Sequence, residues 1–163
     1  MNNLVVLPLV LPVIAGMIMV VFRKFVYFHR ALSLFTMGLI GFICILLIGQ
    51  IQEQGIQTLH MGGWVAPFGI SFVADMFSTL LVLVTAIVAF CCLYYAFSSI
   101  GIQRERHYFY PLTLFIIAGV NGAFLTGDIF NLFVCFEVML VASYVLITLG
   151  GEKVQLKNSI PYV

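Results

Sequence analysis

The sequence predicts an all-α integral membrane protein with five transmembrane helices, an outward N-terminus and a cytoplasmic C-terminus. Three observations support this prediction: the composition, five apolar runs of spanning length, and the placement of the basic residues. Hydrophobic residues make up 63% of the chain and charged residues 8%, whereas soluble domains contain about 25% charged residues. We therefore expect a bilayer as the surroundings, and the net charge of +1 gives no indication of a nucleic-acid partner.

The apolar runs match the thickness of a hydrocarbon layer. A membrane of about 30 Å is crossed by about 20 apolar residues in helical conformation. The first run contains Pro8 and Pro12, which membrane helices tolerate because neighbouring groups satisfy the freed main chain. The predicted spans are residues 4–22, 31–49, 76–97, 109–126 and 129–149.

A long connection, residues 50–74, separates the second and third spans and contains no lysine or arginine. Two short segments, 55–61 and 69–73, flank the turn-rich stretch GGWVAPFG. This pattern predicts a short β-hairpin or re-entrant loop at the outer surface. Trp64 is the only tryptophan, and it is suited to anchoring the loop at the membrane–water interface.

The basic residues predict the orientation of the chain. All seven lysine and arginine residues follow the first, third or fifth span, and therefore lie on one side of the membrane. Loops rich in lysine and arginine remain in the cytoplasm. The long 50–74 loop then faces outward. The residues concerned are Arg23, Lys24, Arg30, Arg104, Arg106, Lys153 and Lys157.

Two polar residues at or within the spans have a structural and a functional interpretation. Asp75 precedes the third span, where it is either a helix N-cap or an ion-path carboxylate near the outer surface; we favour the cap. Asn121 in the fourth span could bind a partner helix or water, and we favour a structural role. Small residues at four-residue spacing and the tight 126–128 turn predict close antiparallel packing of spans four and five.

Glu137 is the most informative residue of the chain. It is the only acid in the fifth span, about 12 Å from the start of the helix, and thus near the bilayer centre. An acid there costs on the order of 2.5–3.5 kcal/mol on insertion scales, which favours a function such as a proton relay. Tyr144, seven residues later, shares its face and is a weaker candidate for the relay. The alternative is a neutral acid that bonds a neighbouring helix and holds an assembly together.

An enzyme active site is not expected in this chain. Catalysis requires a second group, such as a nucleophile with a base or paired carboxylates, and no such grouping or phosphate-binding loop is present in the sequence. We also predict no cofactor and no metal site. The cysteines lie in apolar runs without CxxC spacing, and we expect them to be small packing residues: Cys44, Cys91, Cys92 and Cys135.

Two segments resemble a known transporter family. GDIFNLFVCFEVMLVASYVLI, residues 127–147, resembles the fifth-helix motif of the D subunit of the Mrp-type multisubunit Na+/H+ antiporters. GGWVAPFGISFVAD, residues 62–75, is similar to the outer hairpin and third-helix start of the same family. These subunits resemble the proton-pumping, antiporter-like membrane subunits of respiratory complex I. The resemblance implies that Glu137 belongs to the proton path.

The resemblance also implies an N-terminal piece of a longer subunit. Residues 1–107 would be three leading helices, and residues 108–163 the truncated start of an inverted repeat, with 159–163 opening a sixth helix. The implied function is Na+/H+ antiport across the cell membrane by a complex with other membrane subunits, with protons and Na+ as the transported ions. Two alternatives are a proton-pumping subunit of an NADH–quinone oxidoreductase or related hydrogenase, and a purely structural membrane subunit.

Overall fold

The structure is a computed structural model that describes residues 2–64, 68–149, 157, 159 and 160. Within these ranges a 3-10 turn, Asn3–Val6, leads into the first of six helices, and two strands form a hairpin between the second and third helices. In chain order the elements are α1 Leu7–Val21, α2 Val26–Gln54, β1 Gln57–His60, β2 Ser71–Ala74, α3 Met76–Ser99, α4 Ile102–Glu105, α5 Phe109–Leu125 and α6 Ile129–Ile147.

The chain is a multi-pass membrane protein. Four segments are long and apolar enough to cross a bilayer: α1 with its leading turn, α2, α3 and α6. The fourth predicted span, α5, has 17 residues, which is at the short end of the spanning range of about 17–25.

Helix boundaries differ from the predictions where polar residues continue a helix. Helix α2 has 29 residues instead of the predicted 31–49, and at about 43 Å it exceeds the hydrocarbon layer. Near its C-terminal end, the Gln50 side chain accepts a hydrogen bond from the Asn2 amide. The predicted charged loop after the third span contains the short helix α4. The predicted sixth helix, 159–163, lies largely outside the described residues.

The predicted hairpin is confirmed, so the fold includes a small sheet beside its helices. Strands β1 and β2 pair antiparallel, and His60 Nδ1 lies 2.9 Å from Ser71 Oγ. The main-chain N–H of Gly127 donates to the Ser71 carbonyl at 2.8 Å, and Phe72 bridges to Thr126. The hairpin is therefore fixed to the turn between α5 and α6. Residues 65–67 of its predicted tip lie outside the described residues.

The two ends of the helix bundle carry opposite charges. Four cations, Arg23, Lys24, Arg30 and Arg106, line two adjoining cavities at the end away from the hairpin. At the hairpin end, the carboxylates stand at helix termini: Glu53 near the end of α2, Asp75 before α3 and Asp128 before α6. This separation is the one that the positive-inside pattern requires. Which end faces the cytoplasm remains a prediction.

Close packing of α5 on its neighbours depends on two glycines. A Cβ atom on Gly119 would lie 2.8 Å from the Cys135 carbonyl oxygen, and one on Gly122 would lie 2.6 Å from Cys135 Sγ. The predicted small-residue contact between spans four and five is thereby confirmed. By contrast, Gly38 on α2 has no described atom within 4 Å of a Cβ position, so it makes no helix contact within the described chain.

Candidate functional site

The start of α6 is fixed by polar side chains, and this sets the rotation of the whole helix. Asp128 is the N-cap, and its carboxylate accepts the main-chain N–H of Asn131 at 3.1 Å. The Asn131 amide in turn donates to Thr126 Oγ1 at 2.9 Å. Because Asn131 is buried, this network locks the first turn against α5. The direction of every later side chain on α6 follows from it.

Glu137 points away from the packed side of α6. The buried residues of this helix are Asn131, Cys135 and Ala142, which form one stripe toward α5. Glu137 follows Cys135 by two residues, or about 200° around the axis. Its side chain is exposed on the surface of the described chain. That surface lies within a membrane span, so exposure here means contact with lipid or with further protein.

The carboxylate borders an apolar groove of about 370 Å³ between α5 and α6. Leu112 and Phe115 contribute one wall from α5. Glu137 is the only ionisable residue of the lining, so the groove presents one carboxyl group to apolar surroundings. The α6 lining residues are Glu137, Val138, Val141, Ala142 and Val145.

Among the described residues, the Glu137 carboxylate has no hydrogen bond or ion pair. Tyr144 lies on the same face about 10 Å further along the axis, too far for direct contact between neighbouring turns. The structure therefore does not bring these two predicted relay residues together. A carboxyl group near mid-membrane costs several kcal/mol if it is charged and unpaired. The groups that stabilise the Glu137 carboxylate must therefore be water or protein outside the described residues.

Asp75 is a helix cap. Its carboxylate accepts the main-chain N–H of Ser78 at 2.7 Å, and Ser78 Oγ accepts the Asp75 N–H at 3.1 Å, which completes a capping box. Hydrogen bonds from the Ser78 side chain and main chain hold the pKa of Asp75 below its ordinary value of 3.8. The favoured prediction of a cap is confirmed, and a role in the ion path remains a prediction.

Glu105 has a role that the sequence interpretation missed. It is fully buried, and its two oxygens accept from Arg30 Nη2 at 2.7 Å and Arg30 Nε at 2.9 Å. Tyr110 donates to the same carboxylate at 3.1 Å, and Arg30 also bonds the Phe97 carbonyl. This cluster joins α2, α3, α4 and α5. The sequence feature that could have indicated this role is that Glu105 is a single acid within a basic segment, five residues before Tyr110.

The structure also describes the cysteines, the potential metal ligands and Asn121. Cys44 and Cys135 are buried packing residues, as predicted, whereas Cys91 and Cys92 are exposed on α3 and do not pack in the described core. Within the described ranges, no three His, Cys, Asp or Glu side chains are grouped to hold a metal ion. Asn121 is buried and donates to the Pro8 carbonyl at 2.9 Å, so the predicted bond to a partner helix is confirmed.

Comparison with known proteins finds similarity to an antiporter subunit and to a chain of a respiratory membrane complex. No family model matches the chain. The chain is 50% identical over all of its residues to the D subunit of the Na(+)/H(+) antiporter of Alkalihalophilus pseudofirmus, and it spans 33% of that protein. The resemblance to this type of antiporter subunit, which the fifth-span motif indicated, is therefore confirmed.

Two solved assemblies contain chains with the same fold. A chain of the Mrp complex from Dietzia sp. DQ12-45-1b has a TM-score of 0.85 at 27% identity; the match covers 97% of the present chain and 30% of that one. A chain of the membrane-bound sulfane sulfur reductase, an archaeal respiratory membrane complex, has a TM-score of 0.88 at 25% identity, with 99% and 33% covered. The chain thus spans about a third of the proteins to which it is similar.

Proposed function

We propose that the chain is part of a membrane subunit of a multisubunit antiporter that exchanges Na+ for protons across the cell membrane. The observation that carries the proposal is Glu137, a carboxyl group near the middle of a membrane-spanning helix with no partner among the described residues. Similarity to an antiporter subunit over the whole chain supports the same assignment. The partners are other membrane subunits, and residues 108–163 open the ion-translocating repeat.

The proposed mechanism uses Glu137 as a proton-exchange group. The Glu137 carboxyl borders the apolar groove, where it would take up a proton from water or from a donor group that reaches the groove. It releases the proton when a charged or hydrated group on another helix stabilises the carboxylate. The apolar walls from Leu112 and Phe115 exclude bulk water between these events. A relay of this kind couples proton influx from outside to Na+ export from the cytoplasm.

The proposed orientation places the cationic end of the bundle in the cytoplasm. Arg23, Lys24, Arg30 and Arg106 gather at that end, while the hairpin and the capping acids lie at the other. With this orientation, the hairpin and the turn before α6 face the outside. Protons would then approach Glu137 from the side on which the proton-motive force supplies them.

The test is cation-induced collapse of ΔpH in inverted membrane vesicles that contain the complete, co-expressed complex. Glu137→Gln keeps the size of the side chain and removes the titratable proton, so we expect antiport to be abolished at normal complex abundance. Glu137→Asp should retain part of the activity, and Tyr144→Phe should reduce it by a few-fold at most. Glu53→Gln, an exposed acid near the end of α2, is the matched control with normal activity.

Two outcomes would reject the relay. Full antiport by Glu137→Gln at normal abundance would remove Glu137 from the proton path. Loss of activity in proportion to loss of assembled complex would favour the structural alternative, in which the acid holds helices together.

A redox-driven proton pump is the second candidate. It is favoured by the similarity to a chain of the archaeal respiratory complex, whose TM-score is slightly higher than that of the Mrp chain. The two candidates differ in their energy source. Proton movement that requires NADH or quinol would support the pump, whereas a Na+-induced ΔpH response without an electron donor would support the antiporter.

A further inference from the structure

The cationic end of the bundle contains two adjoining cavities that the proposed relay does not use. Their volumes are about 360 and 480 Å³, and Lys24 and Arg106 line both of them. The first is largely apolar, and the second is lined by charged and polar side chains. The other lining residues are Phe25, Val26, Tyr27, Phe28, Arg30 and Ile102 in the first cavity, and Arg23, His107 and Tyr108 in the second.

Lys24 and Arg106 carry positive charge that no described carboxylate neutralises. Glu105 is the only described acid at this end, and its carboxylate is already shared by Arg30 and the Tyr110 hydroxyl. Among the described residues, neither Lys24 nor Arg106 has an ion-pair partner. The shared wall of the two cavities therefore favours an anion.

The surroundings of this wall are apolar on the membrane side. Phe25 is 63% exposed, Ile102 55% and Phe28 42%. Phe28 lies in the first turn of α2, Phe25 directly before that helix and Ile102 in the short α4 that follows α3. These positions are near the depth at which hydrocarbon meets the headgroup layer. Tyr27 is also exposed, as is common for aromatic residues at this interface. Cations and apolar side chains thus border one concave site.

We propose that this site binds an anionic phospholipid of the same leaflet. Its phosphodiester would lie between Lys24 and Arg106, and one acyl chain would follow Phe25, Phe28 and Ile102 toward the bilayer. Basic pockets at the ends of transmembrane helices have the chemistry to hold anionic headgroups. The ammonium group of a zwitterionic lipid would be repelled by the same cations. A soluble phosphate would leave the apolar wall unused, so the occupant is the lipid.

The experiment measures lipid retention by the intact, purified complex with native mass spectrometry. Phosphatidylglycerol and phosphatidylcholine with matched acyl chains are added to delipidated complex in mild detergent. The test variant is Lys24→Gln with Arg106→Gln, and Lys24→Arg with Arg106→Lys is the charge-preserving variant. Lys157→Gln is the matched control, because this lysine is exposed and lines neither cavity. Thermal stability is measured in parallel.

We expect wild-type complex to prefer phosphatidylglycerol and the double Gln variant to bind it roughly 30-fold more weakly, since each basic residue near the headgroups contributes about 1 kcal/mol. The charge-preserving variant and Lys157→Gln should bind as wild type does. Unchanged phosphatidylglycerol binding by the double Gln variant, or equal binding of the two lipids by wild type, would overturn the proposal. Displacement of the lipid by millimolar glycerol phosphate would also overturn it, because the site would then select a free anion.

Discussion

Asn121 on α5 donates a hydrogen bond of 2.9 Å to the main-chain carbonyl of Pro8 on α1. In a regular helix this carbonyl accepts the N–H of the residue four positions later, which here is Pro12 and has no N–H. The amide of Asn121 therefore satisfies the acceptor that Pro12 leaves free within the apolar bundle. The bond holds α1 against the C-terminal half of α5, the helix that also packs against α6.

This relationship predicts an energetic coupling between positions 121 and 12. Asn121→Leu should destabilise the protein by about 1 kcal/mol, because the Pro8 carbonyl then has no partner. In a Pro12→Ala background the restored N–H of residue 12 donates to the Pro8 carbonyl. Asn121→Leu should therefore lower the free energy of unfolding clearly less in that background. Denaturant unfolding of the four proteins of this cycle in detergent measures the coupling. Equal costs in both backgrounds would show that the bond is energetically unimportant.

The buried ion pair predicts a large asymmetry between single and double substitutions. Arg30→Gln leaves the fully buried Glu105 without its cation and should destabilise by about 3–5 kcal/mol. Arg30→Gln together with Glu105→Gln removes both charges and should recover much of this loss. Unfolding in detergent and the amount of assembled complex are the measurements. A double variant as unstable as Arg30→Gln alone would contradict a simple charge-pairing role.

The capping role of Asp75 predicts that its charge is dispensable. Asn is as good an N-cap as Asp, so Asp75→Asn should keep stability and antiport, whereas Asp75→Ala should cost about 1 kcal/mol. Lost antiport in a stable Asp75→Asn complex would instead assign the carboxylate to the ion path.

The capping bonds also predict a pH dependence for the wild-type cap. Because these bonds lower the pKa of Asp75 in the folded state, its contribution is complete above the ordinary value of 3.8. The contribution is then lost as the pH falls through the folded-state pKa. Unfolding as a function of pH below 4 measures this, and Asp75→Asn should lack that component.

The close approach of α5 and α6 at Gly119 predicts that adding one methyl group there disturbs the contact between the two helices. The Gly119 Cβ position lies 2.8 Å from the Cys135 carbonyl oxygen and 3.1 Å from the Met139 nitrogen, main-chain atoms that cannot rotate away. Gly119→Ala should therefore cost about 1–3 kcal/mol and displace the groove beside Glu137, with reduced antiport. Gly38→Ala is the control with open space at its Cβ. Equal stability of the two variants would indicate that α5 and α6 separate without cost.

Much of the fold could be predicted from the sequence because membrane spans follow simple rules of length and charge. The apolar runs, the hairpin before Asp75 and the N-cap itself follow from local patterns, and the structure agrees with them. The extent of α2 was underestimated, since hydropathy reports where the hydrocarbon ends and not where the helix ends. The partner of Glu105 was missed because Arg30 is 75 residues away in the chain.

The sequence by itself determined the membrane class, the positions of the apolar runs, and the presence of a lone acid within the last one, because these depend on composition and periodicity along the chain. Only the tertiary structure decided which face of α6 packs on α5, and hence that Glu137 is exposed and borders the groove between these two helices. The tertiary structure was also needed to identify the hydrogen bond from Asn121 to Pro8 and the ion pair between Arg30 and Glu105. Such contacts join residues far apart in the chain, and their geometry depends on how whole helices rotate and approach.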